Sequence, residues 1–71
     1  MIKKQETLNK LYSLAKQLSK KYSYDLWNEM WDTCYDYNRN NPDYEIFMCE
    51  DEDESGTFIY YIEDDYFYLA D

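Results

Sequence analysis

The apolar positions of the first third of the chain fall at Leu8, Leu11, Ala15, Leu18 and Tyr22, three or four residues apart, with Leu14 widening the stripe. That is the period of one helix face, and it predicts a helix over residues 3–22. Lys10, Lys16, Lys20 and Lys21 fall largely on other faces, with Lys20 and Lys21 at the end where the helix dipole favours cations. The seam lasts about two heptads, too short for a coiled coil, so it reads as packing within one domain. Ser23 suits an N-cap and Asp25 a first turn, which predicts a second helix over 24–38. Trp27, Met30, Trp31 and Cys34 mark its buried face, extended by Tyr24 or Leu26. The run Asn38-Arg39-Asn40-Asn41-Pro42-Asp43 should stop it, because Asn favours turns and Pro cannot continue a helix.

After Pro42 the period changes. Residues 44–49, 57–62 and 66–70 are rich in β-branched and aromatic side chains and predict three strands. Ser55-Gly56 and Glu63-Asp64-Asp65 supply the connections, the first long and charged, the second short enough to enforce antiparallel pairing. The fold class expected is α+β: two amino-terminal helices packed on one face of a three-stranded antiparallel sheet. The Tyr-rich opposite face is left open to solvent or to a partner.

Length allows a single domain over residues 1–71, with no internal repeat and no linker. A chain this short buries only about 60% of the surface it would expose unfolded. Its aromatic content, 21% with ten Tyr, two Trp and three Phe, offsets that handicap. Charge changes the picture more. The net value is −9 with no His, so it barely varies around neutral pH. Residues 1–24 hold six Lys against Glu6, whereas residues 25–71 hold fifteen carboxylates against Arg39. Such an imbalance disfavours nucleic acid and anionic membranes as direct partners and favours a basic protein surface. No apolar run approaches a membrane span and none follows the amino terminus as a secretory signal would, so a cytoplasmic protein is expected. Cys34 and Cys49 sit in apolar patterns and read as reduced and buried, with one disulfide as the alternative.

The chemistry of enzymes finds little footing. Without His there is no imidazole for acid–base work, for a triad or for metal ligation, and two Cys alone do not make a zinc site. One Gly rules out a Gly-rich phosphate loop, and the chain is too small to build a good cleft around paired carboxylates. The expectation is a non-enzymatic protein without cofactor or resident metal. The segment Asp51-Glu52-Asp53-Glu54-Ser55-Gly56 opens like a calcium-binding EF-hand loop, but its twelfth position is Ile62 and its flanks read as strands. It reads as a solvated hairpin connection, with partner binding or a cation site as alternatives.

The second predicted helix carries a sharper pattern. Asp25, Glu29, Asp32 and Asp36 recur at four, three and four residues, placing four carboxylates on one face over about 16 Å. Such a row is a coarse substitute for a strand of phosphates, although a solvated polar face would look the same. Glu50, Asp51, Glu52, Asp53 and Glu54, with Glu63, Asp64 and Asp65, add eight carboxylates on the sheet side. The nearby Tyr35, Tyr37, Tyr60, Tyr61, Tyr66 and Tyr68 would either supply contact area or cover a thin core.

In size, composition and charge layout the chain resembles acidic inhibitors from phages and mobile elements, namely anti-CRISPR proteins and anti-restriction DNA mimics. The resemblance implies a stoichiometric inhibitor that occupies the nucleic-acid channel of a Cas effector or restriction nuclease. The twelve carboxylates just named would then meet the Lys and Arg that normally hold phosphates. The alternative is an antitoxin-like or regulatory module that binds through the Tyr-rich sheet face. Monomer and dimer both remain open, as does whether the acidic elements share one face.

Overall fold

The computed structural model describes residues 2–70, with side chains from Lys3 onward. Two helices, α1 (Ile2–Lys20) and α2 (Tyr24–Asn40), precede three strands, β1 (Met48–Glu52), β2 (Phe58–Ile62) and β3 (Asp65–Tyr68). The strands form one antiparallel sheet in the order β1-β2-β3. The α+β class, the element order and the paired hairpins are those the hydrophobic pattern predicts.

α1 buries Leu11, Leu14, Ala15 and Leu18, four members of its predicted stripe. It ends two residues earlier than expected, so Tyr22 lies in the connection and is exposed. Ser23 caps α2 in extended backbone, accepting a hydrogen bond from the Leu26 N–H at 3.4 Å. α2 contributes Met30, Cys34 and Tyr37 to the core, while Leu26, Trp27 and Trp31 pack partly buried against it and Tyr24 points to solvent. Ile46, Tyr60 and Ile62 complete a core with no buried charge among the described residues.

The helices share one side of the sheet. α1 lies against β3: Tyr12 packs on Phe67, the Ser19 hydroxyl donates to the Tyr68 carbonyl, and the Ala70 N–H donates to Leu18. α2 lies nearer β1 and β2, with Trp27 edge-on to Tyr60 at 5.5 Å between ring centres. Tyr60 sits at the junction, fully buried, its hydroxyl donating to the Ala15 carbonyl at 3.1 Å.

The end of α1 is not the only boundary to differ from the pattern. β2 starts one residue late at Phe58, and β3 covers Asp65–Tyr68 rather than 66–70, so Asp65 belongs to the strand and not to the connection. The larger shifts are those of α2 and β1. α2 runs through Asn40, and Asn38 faces inward rather than ending the helix. Its amide donates to the Ile46 carbonyl at 2.9 Å and its Oδ1 accepts from the Ile46 N–H at 2.7 Å. The side chain thus does what a neighbouring strand would do for that residue, and residues 44–47 run as a tether outside the ladder. β1 starts at Met48 and extends through Glu52, so the strand expected over 44–49 is displaced into the acidic run. A tight turn fixes this register: Asp53 donates its N–H to the Thr57 carbonyl, and Gly56 enters the left-handed region at φ 84°. The first connection is therefore short. Among the described residues, no helix is long and apolar enough to cross a membrane.

Candidate partner-binding surface

The four carboxylates of α2 are all exposed, opposite the face that buries Met30, Cys34 and Tyr37. Helical spacing brings Asp25, Glu29, Asp32 and Asp36 together as a stripe. Two of the four are already partnered. Lys10 of α1 reaches Glu29 at 3.7 Å, and Arg39 meets Asp36 at 2.6 Å. Asp25 and Asp32 have no ion pair among the described residues.

The run at 50–54 is divided by the pleat. Residues directly opposite in an antiparallel pair point to the same side of the sheet. Glu50 and Glu52 pair with Tyr60 and Phe58, which places them on the helix side, at an edge the helices leave uncovered. Asp51 pairs with Ile59 and takes the open side. Asp53 turns inward on its own loop, accepting from the Ser55 hydroxyl at 2.7 Å and from the Ser55 and Thr57 N–H groups at 2.9 Å. These bonds, the Ser55 hydroxyl foremost, hold its carboxyl below the ordinary Asp value. Glu54 stands exposed at the tip.

Glu63, Asp64 and Asp65 lie at the other end of the sheet. β2 separates the two acidic connections by its own length, about 14 Å at the usual strand rise. Glu63 adopts φ 55°, unusual for a residue with a side chain, and its surroundings hold it there. Its N–H donates to Phe47 at 2.8 Å, its carboxylate accepts from the Phe47 N–H, and Lys4 pairs with it at 3.1 Å. Asp65, at the start of β3, faces the helix layer beside Tyr12, whose phenol burial and this carboxylate push above its usual value. Asp64 is exposed at the turn and has no ion pair among the described residues.

The twelve candidate carboxylates thus do not converge on one face. The α2 stripe looks outward from the helix layer, the run at 50–54 occupies one end and edge of the sheet, and 63–65 closes the opposite end. What does separate is charge along the chain, with Lys4 of α1 the one helix cation that pairs with a carboxylate of the sheet segment, Glu63, among the described residues. All seven cations belong to residues 2–40, on or beside the helices, where five carboxylates accompany them. Residues 41–70, which form the sheet and its connections, hold ten carboxylates and no cation.

The side of the sheet away from the helices is uncovered. Register places two rows across it: Asp51, Ile59 and Tyr68 in one, Cys49, Tyr61 and Tyr66 in the other. The rings of Tyr61 and Tyr66 lie 6.3 Å apart, and Tyr66 meets Tyr68 edge-on at 5.9 Å. Tyr66 is 59% and Tyr68 47% exposed, as is neighbouring Phe47 at 56%. Of the six Tyr singled out from the sequence, Tyr37 and Tyr60 are core residues, Tyr61 is half-buried, and Tyr35, Tyr66 and Tyr68 are exposed. Cys49 lies on this open face and Cys34 in the core on the other side, so both are free thiols; burial pushes that of Cys34 above its usual value.

No family model matches the chain, and neither a curated protein nor a solved structure matches it.

Proposed function

We propose that this protein is a stoichiometric inhibitor that binds the basic, nucleic-acid-holding surface of an enzyme such as a Cas effector or restriction nuclease. The observation that carries the reading is the acidic sheet segment. Ten carboxylates in a segment that has no Lys or Arg of its own, with only Glu63 paired, to Lys4 of α1, make a surface that repels polyanions and attracts the groups that hold them. Within it, Glu50, Asp51, Glu52 and Glu54 are exposed at one edge and tip, with no ion pair among the described residues. They supply the first contacts with phosphate-binding Lys and Arg, and nucleic acid is excluded by competition. The α2 stripe is the weaker candidate, because Lys10 and Arg39 neutralise two of its four charges.

The test is inhibition of a panel of purified Cas effectors and restriction nucleases, at about 0.05 M and 0.5 M salt, by the parent chain and by Glu50→Lys/Glu52→Lys. An inhibited enzyme whose activity returns with salt, and which the double variant spares, supports the reading. Inhibition unaffected by both would overturn charge mimicry, and an untouched panel would remove this target class.

A further inference from the structure

The carboxylates explain attraction to any cation; the open face of the sheet sets aromatic and aliphatic side chains beside one of them. Its central residue is Ile59, on the middle strand, with Asp51 on one side and Tyr68 on the other in the same cross-strand row. Neighbouring strands lie about 4.8 Å apart. A cationic side chain laid over Ile59 therefore has a carboxylate and an aromatic ring within reach on opposite flanks. The adjoining row continues the platform with Tyr61 and Tyr66.

We propose that this face is an arginine-binding surface, and that the partner protein presents Arg rather than Lys to it. The inference rests on the reading of a basic protein partner and names the side chain that partner uses. A guanidinium is planar and weakly hydrated. It can lie flat on a Tyr ring and an aliphatic side chain while its edge donates to a carboxylate, here Asp51, whose Oδ1 also accepts the Glu52 N–H at 2.8 Å. An ammonium meets the carboxylate equally well, but must shed tightly held water to sit over Ile59 and the Tyr rings. A second copy of this chain does not fit. Face to face it would set one acidic layer against another, and in any arrangement its single Arg, Arg39, lies on α2 paired with Asp36. Charge complementarity also excludes nucleic acid and anionic lipid.

The probe is a flexible ten-residue Gly/Ser peptide carrying five Arg, with its five-Lys counterpart, titrated into the full chain by calorimetry at fixed low salt. The Arg peptide is expected to bind about three- to fivefold more tightly, a ratio set by cation–π contact at an exposed site. Tyr66→Leu/Tyr68→Leu keeps apolar bulk on the face and should bring the ratio close to one. Asp25→Asn/Asp32→Asn, on the opposite side of the molecule, should weaken both peptides alike and leave the ratio intact. Circular dichroism and melting establish that each variant is folded, and Tyr66→Phe/Tyr68→Phe, which keeps both rings, should restore the ratio. Equal affinity for the two peptides, a ratio that survives Tyr→Leu, or no binding of either peptide would each overturn the proposal. An arginine preference in a chain that inhibits no nuclease would remove the inhibitor reading alone. Inhibition that ignores the Tyr variants, with no peptide preference, would remove this inference alone.

Discussion

A single amide anchors the chain between α2 and the sheet. Asn38 takes both the N–H and the C=O of Ile46, the pairing a strand would otherwise provide, so the chain after α2 is anchored before any ladder starts. Replacing it with Ala leaves the Ile46 N–H unpaired and its carbonyl with only the long contact from the Cys34 thiol at 3.8 Å, a loss of about 2 kcal/mol. Urea unfolding of Asn38→Ala should show that decrease in stability, and an unchanged midpoint would mean that water serves Ile46 as well as the side chain does. Asp53 acts on the next connection. Its carboxyl is held below the ordinary Asp value in the folded chain, so its contribution is fully present above about pH 4 and is lost as pH falls through the depressed value. Asp53→Asn also removes a negative charge from a crowded run, which is favourable. Glu54→Gln removes a neighbouring charge that holds no turn and so serves as the control. Relative to Glu54→Gln, Asp53→Asn should melt lower at pH 7, and the gap should narrow as pH drops from 4 towards 2. A gap that does not change with pH would show that the turn is indifferent to the charge on Asp53.

At the scale of elements, the helices and the sheet's connectivity are legible because they depend on periodicity and turn chemistry, which are local. The stripe from Leu8 to Leu18 and the cap at Ser23 need no knowledge of the rest of the chain. β1 is different. Its residues Glu50, Asp51 and Glu52 have poor strand propensity, while residues 44–47 look better suited, and propensity alone points to the wrong segment. What overrides it is register. The turn clasped by Asp53 pairs whatever precedes it with β2, and an edge strand tolerates carboxylates because they point into solvent and discourage pairing with another sheet. The same non-local cause hides the division of the acidic run between two sides of the sheet, which only the pairing of Asp51 with Ile59 reveals. The stripe on α2, by contrast, is plain from spacing, but its partial neutralisation by Lys10 is not. That pair depends on how α1 packs beside α2.

For the molecule as a whole, stability and binding should respond to salt with opposite signs. Three ion pairs are formed among the described residues, Lys4 with Glu63, Lys10 with Glu29 and Arg39 with Asp36. All are solvent-accessible, and pairs of that kind contribute about 0–1 kcal/mol each. Against them stand the ten carboxylates of residues 41–70, of which Glu63 alone has an ion pair among the described residues, spread over a molecule only 36 × 22 × 16 Å in extent. Most of those charges lie within one or two Debye lengths of one another at 0.1 M salt, where that length is about 10 Å. Their repulsion acts on the folded chain more than on the expanded one, and it outweighs three weak pairs. Raising sodium chloride from about 0.02 M to 0.5 M should therefore raise the melting temperature, by about 4–8 °C for each kcal/mol of repulsion relieved in a domain of this size. Over the same range the affinity for an Arg-rich partner should fall, because the attraction being screened is between molecules. Melting curves and calorimetric titrations across one salt series test both signs together. A melting temperature that falls with salt would mean that the three internal pairs dominate, and that the carboxylates of the sheet layer lie too far apart to act as one surface.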